Sequence, residues 1–229
     1  MDKDTYTNAQ VIQLTEQFVP VKINAEKEGV AVAKKYKVDG FPTILFINDA
    51  GEVEGKIGGY MPPAGFSEQL KSIAQGHKEA PLLEERLKKN PQDAEAAGKL
   101  AAIYAGRGKA ERASELIAQA EKTDSDNSND YLTKAYNALG DYYQENRDFD
   151  KAIPLFRKAA TTGKKPSDIA YAHMSIAVCY LSQNKLEEAV PELKATIDLP
   201  GVSNEDKEQA EALLKRVEAA INQKQGNGQ

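Results

Sequence analysis

Cys179 is the only cysteine in 229 residues, and it bounds the possible chemistry. Thiol–disulfide exchange uses one thiol to attack and a second to resolve the mixed disulfide, so these residues predict no dithiol cycle of their own. A single cysteine forms no intrachain disulfide and leaves the redox compartment open. Cys179 stands between Val178 and Tyr180, and His173 and Lys185 are each six positions away. No cation lies one helical turn off to favour a thiolate, so a buried structural thiol is expected rather than a nucleophile. His77 and His173 have no Cys or carboxylate partners at metal-ligand spacing, and no metal or cofactor is predicted. The chain has no Gly-rich phosphate loop, G-x-S-x-G elbow or H-E-x-x-H pair. Phe41-Pro42-Thr43, set behind Gly40 and running into an apolar stretch, is the sharpest candidate for a binding site.

The elements that must carry these residues fall into two styles. In the first style, Thr7-Asn8-Ala9-Gln10 has capping-box spacing ahead of Val11, Ile12 and Leu14 and predicts a short helix. Phe18 to Ile23 is a strand candidate, with Pro20 tolerable near its beginning or at an edge. Gly29 to Tyr36 predicts a helix with lysines at its end. Thr43 to Ile47 is a wholly apolar, buried kind of strand, and Asn48-Asp49-Ala50-Gly51 turns it into a second strand over Glu52 to Gly58. Phe66, Leu70 and Ile73 are spaced for a closing helix from about Pro62 to Gln75. This order points to an α/β domain over residues 1–76, with Gly76-His77-Lys78 as its boundary.

The second style is helix after helix over residues 80–224, and it repeats. Leu100-Ala101-x-x-Tyr104 returns as Leu139-Gly140-x-x-Tyr143 and Ile176-Ala177-x-x-Tyr180, at intervals of 39 and 37 residues. Each leads into small-x-x-x-large-x-x-small: Ala113, Ile117, Ala120, then Ala152, Phe156, Ala159, then Ala189, Leu193, Thr196. Small residues let paired helices approach, and Leu, Tyr and Phe fill the groove between them. Pro154 and Pro191 are expected within the first turn of their helices, where a missing donor costs least. Leu82 to Lys89 reads as half of a preceding repeat. Ala210, Leu213, Leu214 and Val217 mark a helix that closes the stack, with residues 225–229 as a disordered tail.

Composition excludes some partners. Net charge is −5 with a pI near 5.3, and lysines and arginines alternate with acids, so no nucleic-acid face is predicted. No apolar run approaches the length of a membrane span. Met1-Asp2-Lys3-Asp4-Thr5-Tyr6 is not built like a signal peptide, and periplasmic or cytoplasmic localisation is left open.

The L-G-x-x-Y and A-x-x-x-F-x-x-A positions resemble the tetratricopeptide repeat. Val38-Asp39-Gly40-Phe41-Pro42-Thr43, the apolar strand and the turn after it resemble the second half of the thioredoxin fold. The likeness is to the C-terminal domain of thiol–disulfide interchange proteins and to related bacterial thioredoxin-like proteins. In that subfamily Cys-x-x-Cys-Lys-x-Met precedes an acidic-Thr segment, and Met1 to Tyr6 matches the stretch just after the second cysteine. The resemblance implies an incomplete thioredoxin-like domain, lacking its first core strand and active-site turn. That strand would sit between residues 18–23 and 43–47, leaving both without a shared neighbour, and the chain is expected to be a fragment of a thiol–disulfide oxidoreductase. It also implies a cis Pro42, with Phe41, Pro42 and Thr43 pairing to an extended segment of a disulfide-containing protein substrate.

First helices of tetratricopeptide repeats build the inner face. The resemblance therefore implies a partner-binding groove from Lys134, Asn137, Asp141 and Gln144 in the second repeat. The third repeat would add Tyr171, Met174, Val178 and Leu181. A protein or peptide partner is expected there, held in a hydrophobic or mixed groove. Tyr104, Tyr143 and Tyr180 read as packing, whereas Tyr131, Tyr136, Tyr142 and Tyr171 are free to line a surface. The alternative to a redox parent is an interaction scaffold with a redox-dead thioredoxin-like domain.

Overall fold

Apolar residues close two separate cores. The computed structural model describes residues 1–38 and 40–226, and the chain divides into two compact units, Met1–Leu82 and Leu83–Gln229. In the first, α1 (Ala9–Thr15), α2 (Val30–Lys35), β1 (Thr43–Ile47), β2 (Val53–Gly58) and the start of α3 (Pro63–Lys89) come in that order. Val11, Phe46, Ile57, Phe66 and Leu70 are its buried centre, with Leu14, Phe18, Ile44, Met61 and Ile73 packed around them. Phe18 meets Phe46 edge-on, with ring centroids 5.3 Å apart.

The α1 cap is Asn8, whose Oδ1 accepts from the Gln10 and Val11 amides, while the Thr7 hydroxyl bonds back to Lys3 and Asp4 carbonyls. The cap expected at Thr7 therefore falls one residue later, on Asn8, as a one-sided cap rather than a capping box, because Val11 stands at the third helical position; Asn is the better short acceptor once Thr7 is engaged upstream. β1 and β2 form an antiparallel pair from Thr43↔Gly58 to Ile47↔Val53, with an irregularity between Phe46 and Ile47. The hairpin turn closes with the Gly51 amide on the Asn48 carbonyl, and Gly51 takes the left-handed conformation that glycine allows. A Cβ on Gly55 would lie 2.6 Å from Ile73, so glycine there lets α3 lie against the sheet.

The strand expected over Phe18 to Ile23 is absent: these residues are irregular, and β1 pairs with β2 alone. A strand needs a neighbour for its backbone groups, and none flanks this segment among the described residues. Pro20 removes one donor as well. Val19 is 89% and Val21 73% exposed, so beyond Phe18 the apolar content of this stretch buries little. The α2 face behaves similarly, with Val30 and Val32 both exposed.

α3 runs unbroken through Gly76, where a boundary was expected, and through Pro81. A lone helical glycine costs only about 1 kcal/mol, too little to stop a helix, and Pro81 lies on its exposed side. The described tail also differs from expectation: α10 (Asn204–Gly226) takes in Gln225 and Gly226, and residues 227–229 lie outside the described part.

The second unit pairs α4 (Ala94–Gly106) with α5 (Ala110–Glu121), α6 (Thr133–Glu145) with α7 (Phe149–Thr162), and α8 (Pro166–Ser182) with α9 (Leu186–Ile197). Small residues sit where these helices cross: Ala101, Ala113, Ala120, Ala152, Ala159, Ala177 and Ala189 have no exposed surface. The Phe156 ring occupies the space a side chain on Gly140 would need. Leu213, Leu214 and Val217 of α10 cover Ala177, Ala189 and Leu193. Ser203 caps α10 by accepting from the Asp206 amide.

Pro154 and Pro191 each fall at the sixth residue of their helix, beyond the first turn where they were expected. Both are exposed, as are Asp150 and Glu187, whose carbonyls lose a donor, so solvent can satisfy those acceptors. The longer first interval of the repeats comes from the segment ahead of α6. There Asn127 is buried, accepts from the Leu132 amide and donates to Thr133 Oγ1. The Tyr131 carbonyl then lies against α4, 2.5 Å from where a Cβ on Gly98 would be.

Candidate functional site

In the first unit the turn into β1 carries the candidate site. The Phe41–Pro42 bond is cis. The Pro42 carbonyl accepts from the Gly59 amide at 2.8 Å, and Thr43 Oγ1 donates to the Gly40 carbonyl at 2.7 Å. These two bonds fix the turn against the end of β2 and leave the Phe41 ring 62% exposed. Tyr60, one residue past Gly59, is also exposed and donates to Asp4 Oδ2 at 2.6 Å. That bond, with the Thr5 amide as the next contributor, holds the Asp4 carboxyl down at about 2. Thr5 is buried and donates to the Met61 carbonyl at 2.7 Å. The arrangement presents aromatic surface and backbone groups, and among the described residues it holds no thiol. Asp4, Tyr60 and Met61 were not foreseen from the sequence. Fifty-six positions separate Asp4 from Tyr60, and only the closed hairpin joins them.

The second unit gathers the inner-face residues along the seam of α6 and α8. Tyr171 Oη donates to Asp141 Oδ1 at 2.8 Å. Burial raises the Asp141 carboxyl to about 6; the Tyr171 bond opposes the rise and the charge of Glu145 adds to it. Asp141 Oδ2 meets no hydrogen-bond donor among the described residues, and no cation pairs with Asp141 there. Tyr171 is 49% and Val178 38% exposed, and Lys134 is exposed two turns before Asp141 on α6.

Asn137 stands elsewhere. It is only 7% exposed, and its Nδ2 donates to the Asp168 carbonyl at 3.1 Å, tying α6 to the first turn of α8. Met174 and Leu181 are half-buried against the core that α8 shares with α9 and α10. Tyr136, counted among the residues free to line a surface, is buried and donates to Glu121 Oε1 at 2.7 Å. A tyrosine one position after a buried alanine, Ala135, still lies within the inward arc of α6.

The structure also assembles a cluster that the sequence hid. Buried Glu192 on α9 is met by His173 Nδ1 at 2.7 Å and accepts from Arg157 at 3.2 Å. Burial by itself would raise the Glu192 carboxyl, but His173 and Arg157 outweigh it and hold the group below the usual carboxylate range. Three helices supply the three residues, so no local spacing signals them. Cys179 is buried, and burial together with Asp141 pushes its thiol up to about 11. It is therefore a thiol near neutral pH. No group of His, Cys, Asp and Glu among the described residues is disposed to hold a metal ion, and no described helix is long and apolar enough to cross a membrane.

Known families match parts of both units. Residues 1–74 match the model of a thioredoxin-like domain, and residues 137–200 match that of a tetratricopeptide repeat. No curated protein matches the chain.

Proposed function

We propose that this chain, a thioredoxin-like domain joined to tetratricopeptide repeats, is the recognition part of a thioredoxin-family thiol–disulfide oxidoreductase. It holds protein segments and performs no dithiol exchange itself. The observation that carries this reading is the open α6–α8 face, where Tyr171, bonded to Asp141, and Val178, two turns further along α8, stay exposed although Ala170, Ala172 and Ala177 of the same helix are buried. Exposed apolar and aromatic side chains on a rigid helical frame suit a bound polypeptide. Phe41, Pro42 and Thr43 form the second contact, for an extended segment of a disulfide-containing substrate. The exchange itself needs two thiols, and the one present is buried and protonated.

Two measurements test this. Reduction of insulin by dithiothreitol should run no faster with this chain than with its Cys179→Ser variant, and clear turnover above that variant would overturn the redox half. Random 12-residue peptides displayed on phage and selected on the full chain should lose binding to a Val178→Glu variant. Selected peptides indifferent to that change would overturn the groove.

A scaffold with no redox connection is the second reading, and it is favoured by the single cysteine of the sequence being buried within the repeats. Binding of insulin to the thioredoxin-like domain separates the two. Loss of binding in Phe41→Ala supports substrate recognition, and equal binding supports the scaffold.

A further inference from the structure

Asp141 is an acid kept at a cost. Its carboxyl is crowded by α6 and α8, accepts one hydrogen bond from Tyr171 and meets no cation among the described residues. Several acids elsewhere in this unit that lose water gain a cation, although buried Asp124 accepts only from Ser128. Glu192 has Arg157 and His173, Glu121 has Lys158, and Asp93 and Glu95 share Arg86. An acid that loses water without a counter-ion costs stability, and groups perturbed in this way cluster at functional sites when they lie on an open face.

The surroundings state which ligand. On α8, Tyr171 offers a half-exposed ring and Val178, two turns further along, an exposed aliphatic group, while Glu145, one turn beyond Asp141 on α6, adds negative potential. Tyrosine rings attract cations as well as apolar groups. Lys134 is the one exposed cation among the described residues of the candidate groove, and it stands two turns away.

We infer that the α6–α8 face binds a polypeptide segment that places a lysine or arginine side chain on Asp141, with apolar neighbours against Tyr171 and Val178. A carboxylate-bearing chain end would meet repulsion at this point, so an internal basic–apolar segment is the occupant. The inference rests on the protein-binding reading above and names the partner's chemistry.

The test uses the same phage-displayed 12-residue library on the full 229-residue chain, in a format that leaves no free C-terminal carboxylate. Enriched peptides should carry Lys or Arg flanked by apolar residues. Synthesised with a fluorophore, they should bind Asp141→Asn about tenfold more weakly by anisotropy, about 1.4 kcal/mol. Affinity should also fall with added salt. Asn keeps the acceptor for Tyr171, so the variant should fold. Peptides that lose binding on Val178→Glu but not on Asp141→Asn, or that lack basic residues, overturn the cation site and leave the groove standing. A library yielding no peptide that responds to Val178→Glu overturns both.

Discussion

Tyr171 Oη reaches Asp141 Oδ1 at 2.8 Å across the seam of the second and third repeats. The bond does not neutralise Asp141, because a tyrosine hydroxyl brings no charge. Burial still lifts the carboxyl to about 6, from 3.8. A folded-state pKa above the unfolded one means the native state binds more protons between those values. Stability due to this group therefore declines as pH rises through that window and is lowest above it.

Asp141→Asn should thus stabilise the repeats above pH 7, by about 1–2 kcal/mol after allowing for partial solvation. The gain should shrink to nearly nothing at pH 4, where the wild-type acid is protonated. Urea denaturation of both proteins at the two pH values checks this. A gain of equal size at both would show that Asp141 is not the strained group. Tyr171, Glu145 and Cys179 are the titratable neighbours that register its charge.

Glu192 carries the opposite sign. Its carboxyl is held low by His173 and Arg157, so its contribution is present above the ordinary carboxylate range and lost as pH falls through the folded value. Glu192→Gln should cost about 1–3 kcal/mol near neutral pH. The lower part of that range is expected, since the Arg157 side chain is half exposed and screened by solvent. The difference from wild type should fade in acid, and a cost that persists at pH 3 would point to packing rather than charge.

Gly140 offers a test of sign. In an exposed helix interior, Gly→Ala stabilises by about 1 kcal/mol. Here the new Cβ would sit 2.6 Å from the Phe156 ring, and overpacking of that kind costs about 1–3 kcal/mol. Gly140→Ala should therefore destabilise, by about 1–2 kcal/mol net. Pairing it with Phe156→Leu should recover part of the loss, and an Ala variant more stable than wild type would show that α6 and α7 do not pack this closely.

Backbone amides of Val19 to Ile23 should exchange with little protection, because no strand flanks them among the described residues. Phe46 and Ile57, in the β1–β2 ladder, should be slower. Leu70→Ala removes a wholly buried side chain and should cost about 2–4 kcal/mol. The loss should be read as faster exchange at residues 44–47. Val21→Thr should change nothing measurable there. Protection at Val21 comparable with Phe46 would mean that a partner strand covers this segment.

Much of this was legible without coordinates. The repeat helices declared themselves, since Leu100, Leu139 and Ile176 recur with small residues at helical spacing, and every helix must bury its small-residue face against its neighbour. The β1–β2 hairpin was equally plain from an apolar run ending in Asn48 to Gly51. In both cases the signal is local.

The misread parts depend on neighbours. Phe18 to Ile23 has the composition of a strand, but a ladder is a property of two segments, and none of the described residues pairs with this one. Pro154 and Pro191 are tolerated past the first turn because their side of the helix faces solvent, which a residue pattern does not report. The candidate groove divided for the same reason. Asn137 and Met174 lie at inner-face positions by spacing, yet one is committed to the Asp168 carbonyl and the other to the core beneath α10.

Residue order along the chain was thus enough to set helix, hairpin and repeat, because each arises from side chains a few positions apart and the period of the backbone that bears them. Tertiary packing alone decided which acids found a cation. Glu192 and Asp141 are both carboxylates on repeat helices, and one meets Arg157 and His173 from two other helices while the other meets only a hydroxyl. Desolvation and charge act through space over a few ångströms, and that distance is settled only when distant segments come together.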